Sequence, residues 1–309
     1  MTTPAPTPAS RLAIVFAHWE DEATSAECLA HLAASPGARD AVWIMIDNGS
    51  ADDSASRLRA VYPHLRIIRK ESNVGHAAAI NAGAALARSL GCELMLMLDN
   101  DAFVSPGVIT TLTALFDRRP DAGAASPRIL SGRRPGLLWY DGGSLSFLGH
   151  GTHDHMWRDA ATTPGVERNV AFATACAMMV RLDAFIAAGE FDEKLITYAD
   201  ELDLSIRIRK AGYAIVFVPD AVVTHGESRN VISKAGKRFR DYFNMRNQLT
   251  IAWRHGGAAG RILGVPAAML TAGLIPAGVH LLRGEPQRSA ALVRGMWDFV
   301  CGRTGWGSL

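Results

Sequence analysis

The stretch 93-ELMLMLDNDAFVSPG-107 carries an apolar run that stops at two aspartates flanking an asparagine. Leu94 to Leu98 show no alternation, so the run reads as a strand buried on both faces, as in a parallel sheet covered by helices. Shorter strand-like segments precede it at LAIVFAHW (12–19), AVWIMID (41–47) and LRIIRK (65–70). Helical patterns fall between them, around TSAECLAHLAA (24–34) and AAAINAGAALARSL (77–90). This alternation predicts an α/β chain with a mostly parallel sheet flanked by helices. Two later strands are expected, VAFATACAMMV (170–180) and AIVFVPDAVVTHG (214–226).

Polar residues gather where these strands end, the edge at which open α/β sheets bind ligands. Asp99 and Asp101 can together hold a hard divalent cation and a ribose, because Mg²⁺ and Mn²⁺ take oxygen ligands and share them with phosphates. Turn chemistry is the alternative account of Asp-Asn-Asp, and for an isolated motif the favoured one. Asp47-Asn48-Gly49-Ser50 is either a plain turn or a contact to a nucleotide base or ribose. Trp19, after His18, can stack on a base or pack the rim. His225 ends its strand in VVTHGES and can complete a metal shell as a neutral imidazole.

The acid-rich stretch YADELDLSIRIRKAG (198–212) predicts a helix ending near Gly212. Asp200 is placed as its N-cap, with Asp203 completing a capping-box-like pair. Glu201 would follow at the first helical position, where the helix dipole favours negative charge. Capping can therefore account for all three acids, and the alternative is that one of them takes a proton.

The arrangement as a whole resembles the inverting glycosyltransferases of family 2. AHWEDEATSAECLAHL is similar to that family's opening strand and helix, and IDNGSADDS to its nucleotide-binding turn. ESNVGHAAAINAG is similar to its Asn-x-Gly segment, and LDNDAFVSPG to its DxD motif. The longest match, AMMVRLDAFIAAGEFDEKLITYADELDLSIRIRKAGYAIVFVPDAVVTHGES, resembles its acceptor-side block. The resemblance runs from about residue 11 to 255 and implies a GT-A, Rossmann-like fold with a C-terminal helical extension.

It also implies roles. Asp47, Trp19, Asn73 and Asp99 would meet the nucleotide-sugar, a UDP-, dTDP- or GDP-sugar. Asp101, Asp99 and His225 would hold Mn²⁺ or Mg²⁺. In the acidic pair Asp200-Glu201 the second acid would be the catalytic base. The order Asp-Glu departs from the family's usual Glu-Asp or Asp-Asp, and His-Trp-Glu replaces Thr-Tyr-Asn after the first strand. The acceptor would be a hydroxyl of a glycan or lipid-linked saccharide, with a lean to rhamnosyltransferase-like members. A degenerate nucleotide-binding scaffold and a sugar-phosphate nucleotidyltransferase are the alternatives. The acidic AHWEDEA argues against the latter, which needs a basic, Gly-rich loop there.

The chain's 309 residues carry a net charge of +2 and a pI near 8.4, which gives no field for nucleic acid. Four dispersed cysteines, Cys28, Cys92, Cys176 and Cys301, form no ligand spacing and fit a reducing compartment. Residues 1–10 are expected as a disordered lead-in, 11–228 as the catalytic domain and 229–309 as a helical extension. Within the catalytic domain, 11–105 would be the nucleotide-binding half and 106–228 the acceptor half. Residues 229–261 hold eight Lys/Arg and one acid, ahead of the uncharged run 262–282, ILGVPAAMLTAGLIPAGVHLL. Pro266, Pro276 and His280 argue against a membrane span and for a buried or interfacial helix. The expected location is the cytoplasm, peripheral at the cytoplasmic face of the inner membrane, on an anionic surface.

Overall fold

The computed structural model describes residues 10–146, 150–227 and 229–307, the side chains of 229–235 excepted. Residues 1–9 of the expected lead-in lie outside them.

The first strands form where the apolar runs predict: β1 Leu12–His18, β2 Val42–Asp47, β3 Arg66–Arg69 and β4 Leu94–Leu98. Between them stand α1 Glu22–Ala34, α2 Ser54–Val61 and α3 His76–Ser89. Next come β5 Ala102–Val104, α4 Val108–Arg118 and β6 Ala122–Ser131. Four short strands follow, β7 Leu138–Tyr140, β8 Gly143–Leu145, β9 Gly151–His153 and β10 Arg168–Asn169. The set closes with β11 Ala177–Arg181, α5 Leu182–Ala187, α6 Asp200–Lys210 and β12 Ala214–His225.

The main sheet runs β10-β12-β6-β11-β4-β1-β2-β3, with β5 on β12 and β7 on β6; β8 and β9 pair separately. β3, β2, β1 and β4 are parallel, and β11 enters antiparallel between β4 and β6. β12 lies parallel to β6. The two reversals around β11 restore the direction of β4 in β6 and β12. The carboxyl ends of β1, β2, β4 and β12 and the amino end of β11 therefore share one edge. Leu94 to Leu98 are fully buried, as their unbroken apolarity requires.

One expected strand is shorter than its apolar run. Only Ala177–Arg181 is strand, while 170–176 is a largely buried loop. Its backbone is satisfied piecemeal: the N–H groups of Val170, Ala171 and Ala173 bond Ile215 O, Gly143 O and Ser205 Oγ. Apolarity reported burial here, and the hydrogen bonds had no single neighbouring strand to meet.

After β12 the chain is helical. α7 Arg229–His255 breaks at Gly236 (φ 76°), and a helix over Gly257–Leu282 and a last helix Pro286–Val300 pack on it. Their shared core includes Met245, Leu249, Val265, Ala268, Leu292 and Met296. The prolines do not end the 257–282 helix. Each follows a π-helical stretch, Gly260–Gly264 and Met269–Leu274. Widening the turn removes the clash between the proline ring and the preceding carbonyl. Only 28% of the helix's most apolar window is buried, so the helix is not a core element.

Candidate active site

On the β2 side, Asp47 is fully buried and its Oδ1 accepts the N–H of Ser50 (3.0 Å). Its Oδ2 is buried and makes no hydrogen bond among the described residues; Arg69 Nε stands 3.6 Å away. Asn48 stitches this turn to the next loop. Its Nδ2 donates to Asn73 Oδ1 (3.1 Å) and its Oδ1 accepts from Val74 N (3.0 Å). Gly49 has φ 79°, and a Cβ there would lie 2.5 Å from the Ser72 carbonyl carbon, so only glycine fits the approach. His18 faces inward, its ring bridging Ser25 and Ser54 hydroxyls (2.8 and 2.7 Å) and fastening α1 to α2. Burial holds it below the ordinary histidine range. Trp19 sits half-buried directly beyond β1.

At the end of β4, Asp99 is partly buried and Asp101 buried. The Asp101 carbonyl accepts the N–H of Gly226 (2.7 Å), which draws the end of β12 against the acids. His225 Nε2 consequently stands 3.4 Å from Asp101 Oδ1. Its Nδ1 is buried and makes no hydrogen bond among the described residues. Cys176, at the head of β11, accepts the Asp99 N–H on its carbonyl (2.9 Å). Ligand atoms of Asp99, Cys176 and His225 lie within 4.8 Å of one another. Burial and then the Asp101 charge push Asp99 upward. Burial, the largest influence, would lower His225, but its bond to Asp101 together with the charges of Asp101, Asp99 and Glu227 raises it. Two neighbouring carboxylates beside an imidazole with an orphaned nitrogen form a donor set that suits a divalent cation.

The third group sits at the start of α6. The expected capping is absent. Ala199, in the left-handed region (φ 61°), precedes the helix, and no side chain caps it. Asp200 is itself helical, and its Oδ2 meets His76 Nδ1 at 2.7 Å across the α3 N-terminus. Asp203 is pulled elsewhere, accepting Arg207 Nε (2.7 Å) and facing His255 Nε2 (2.8 Å). Both carboxylates are instead taken by side chains from other elements or further along the helix, where the partner can carry a full opposite charge.

Burial and the Asp200 charge together set the titration of this group. Burial pulls His76 down, but Asp200 pushes it net up to about 9. Burial, then the Asp200 charge, pushes Glu201 up to about 8. Asp200 is held below its ordinary value, its burial outweighed by His76. The Asp99 charge also acts on His76, so the two acidic groups feel one another.

The structure brings Asp99, Asp101 and His225 together, and places Asp200 and His76 where their charges act on Asp99, with Glu201 next to Asp200. It places Asp47 and Asn73 on a neighbouring, interlinked pair of loops. Sequence reasoning missed the pairing of His76 with Asp200, Cys176 beside Asp99, and Trp139, which stands edge-on to His225 (centroids 4.4 Å). Sheet register creates these contacts, and no local spacing announces them.

The mixed sheet flanked by helices, with its C-terminal helical region, is a GT-A fold, the class of its solved-structure neighbours. The profile of the family "Glycosyl transferase family 2" matches residues 13–188, and the chain belongs to that family and is a glycosyltransferase. It is 28% identical over 207 residues to an N-acetylglucosaminyl-diphospho-decaprenol L-rhamnosyltransferase of Mycobacterium tuberculosis, covering 60% of this chain and 67% of that protein. Its fold is similar to that of a mannosyltransferase from Pyrobaculum calidifontis in complex with GDP-Man and Mn²⁺. That match has a TM-score of 0.61 at 15% identity and covers 97% and 90% of the two chains. GalNAc-T7 with UDP, GalNAc and Mn²⁺ gives a TM-score of 0.62 at 13% identity, covering 96% of this chain and 58% of the other.

Proposed function

We propose that this glycosyltransferase moves a sugar from a UDP-, dTDP- or GDP-sugar to a hydroxyl of a glycan or lipid-linked saccharide, with inversion at the anomeric carbon. The observation that carries the reading is the convergence of Asp99, Asp101 and His225 with the Asp200-Glu201 pair. The lipid-diphosphate saccharide in the mycobacterial relative's name supports the acceptor class and a rhamnosyl-type transfer in surface polysaccharide synthesis.

Asp47 receives the base, Trp19 stacks beside it, and Asp99 meets the ribose. Asn73, whose Oδ1 is taken by Asn48 and Gly75, offers its NH₂ group to the donor. Asp101, Asp99 and His225 would hold Mn²⁺ or Mg²⁺, which supplies charge neutralisation for the departing diphosphate. Glu201 takes the acceptor proton as the hydroxyl oxygen attacks from the face opposite the leaving group. His76 fixes Asp200 as the ionised partner, and Asp200 in turn raises Glu201 into the range of an effective base. Residues 11–105 form the donor half, 106–228 the acceptor half and 229–309 the helical extension. That extension rests on the anionic cytoplasmic face of the inner membrane, where a lipid-linked acceptor resides.

Nucleotide-sugar turnover with Mn²⁺ or Mg²⁺ tests the reading in wild type and in Glu201→Gln. Loss of a positioned base lowers kcat by about 10²- to 10⁴-fold. A fully active Glu201→Gln enzyme would overturn the base assignment.

A further inference from the structure

We infer that Arg246 and Asn247 of α7 are positioning residues that hold the loop 194–199 in the strained shape delivering Asp200 and Glu201 to the reaction centre. The loop leads directly into α6 and contains three non-glycine residues in the left-handed region: Ile196 (φ 67°), Tyr198 (φ 60°) and Ala199 (φ 61°). Each is a disfavoured backbone state that persists only where surrounding structure fixes it.

What fixes it is one dipeptide. Asn247 is fully buried, and its Nδ2 donates to the carbonyls of Leu195 (2.9 Å), Thr197 (2.8 Å) and Tyr198 (2.8 Å). Two amide protons thus serve three carbonyls, of which Leu195 O also accepts the Thr197 N–H (2.8 Å). Arg246, also buried, sends Nη2 to the carbonyls of Lys194 (3.2 Å) and Leu195 (3.3 Å). Its Nε bonds Asn247 Oδ1 (3.0 Å), which sets the orientation of that amide. Nη1 reaches Gly305 O (2.5 Å), and Gly305 N returns to Lys194 O (2.9 Å). The guanidinium lies over the Phe243 ring at 4.8 Å, so its plane is held as well. On the far side, Ile196 O accepts from Ala77 N (3.2 Å), one residue past His76. The loop is therefore gripped between α7 and the start of α3, and the His76–Asp200 contact reports its position.

The inference rests on the acidic pair being the catalytic one, and a readout independent of activity separates the two. In the full chain carrying Asn247→Ala or the milder Arg246→Lys, folding is checked by circular dichroism and the His76 imidazole is titrated by NMR. Expected is a His76 midpoint lowered by a unit or more, with donor turnover kcat down at least tenfold and donor KM within threefold. Adding Ala199→Gly to Asn247→Ala should restore part of both, because glycine accepts that φ without strain. A folded Asn247→Ala protein with the wild-type His76 midpoint and kcat overturns the inference, as does a loss carried by KM alone. Should Asn247→Ala not fold, Arg246→Lys is read by the same criteria. An active Glu201→Gln enzyme removes the base assignment and leaves the His76 midpoint to judge the clamp.

Discussion

At the scale of the residue, three neighbouring groups share charge unequally. Glu201 stands near 8, so in the free enzyme kcat/KM should climb as pH rises through about 8 and level off above it. Asp200 supplies much of that elevation, so Asp200→Asn should move the limb to lower pH while lowering the plateau. A pH–rate series on the two proteins checks this; an unmoved limb would mean that Glu201 is not the titrating base. The same cluster ties stability to pH. His76 titrates near 9 in the fold against an ordinary 6.5. Its stabilising contribution is therefore full below about 6.5 and fades as pH rises through 9. The thermal-stability deficit of His76→Asn should accordingly be largest near pH 6 and shrink towards pH 10, as melting curves across that range would show.

At the scale of the element, the parallel strands β1 to β4 and the long β12 were legible. The ten-residue β6 in the middle of the sheet and the uncapped start of α6 were not. Leu94 to Leu98 could only be a doubly covered strand, and the acids ending it could only lie at the sheet's ligand edge. Capping was read into Asp200 and Asp203 from local spacing. The carboxylates instead pair with His76, 124 positions earlier, and with His255, 52 positions later. Local rules describe what a residue does without better offers, and tertiary contacts made better ones. The run 170–180 misled in a related way, since burial without a strand partner leaves the same apolar signature. Nor could the sequence reveal that Ala199 sits at φ 61°, because alanine is an unusual choice there. That choice makes a prediction. Ala199→Gly should stabilise the fold by about 1 kcal/mol, the αL strain relieved less the greater entropy of the unfolded chain. Urea unfolding would measure it, and a destabilised variant would mean that the methyl group's packing outweighs its strain.

At the scale of the whole molecule, the C-terminal helices present a face that the sheet does not use. Leu263, Leu270, Leu274 and Leu281 recur at seven, four and seven residues and are all exposed, as are Ile262, Ile275 and Leu282. Trp253, Trp297 and Trp306 are exposed as well, with the Arg261 guanidinium 5.4 Å from the Trp253 ring. Exposed Arg283, Arg294 and Arg303 add positive charge to the same helical region. The 257–282 helix is long and apolar enough to span a bilayer. However, Val265, Ala268 and Ala277 are packed against α7 and the last helix, which carry Arg254, Arg288 and buried Asp298. Spanning would strip that packing or draw those charges into hydrocarbon, whereas the proposed interfacial arrangement keeps both. Each leucine moved out of water contributes about 1.5–3 kcal/mol, and each arginine near an anionic surface about 1 kcal/mol. The full chain should therefore co-sediment with phosphatidylglycerol-containing vesicles, more weakly with neutral ones, and more weakly again at 0.5 M salt, where charge is screened at about 4 Å. Leu270→Glu with Leu274→Glu should reduce binding by about 100-fold or more while leaving turnover of a soluble acceptor unchanged. If the wild-type chain stays in the supernatant with anionic vesicles, the exposed leucines must face something other than lipid.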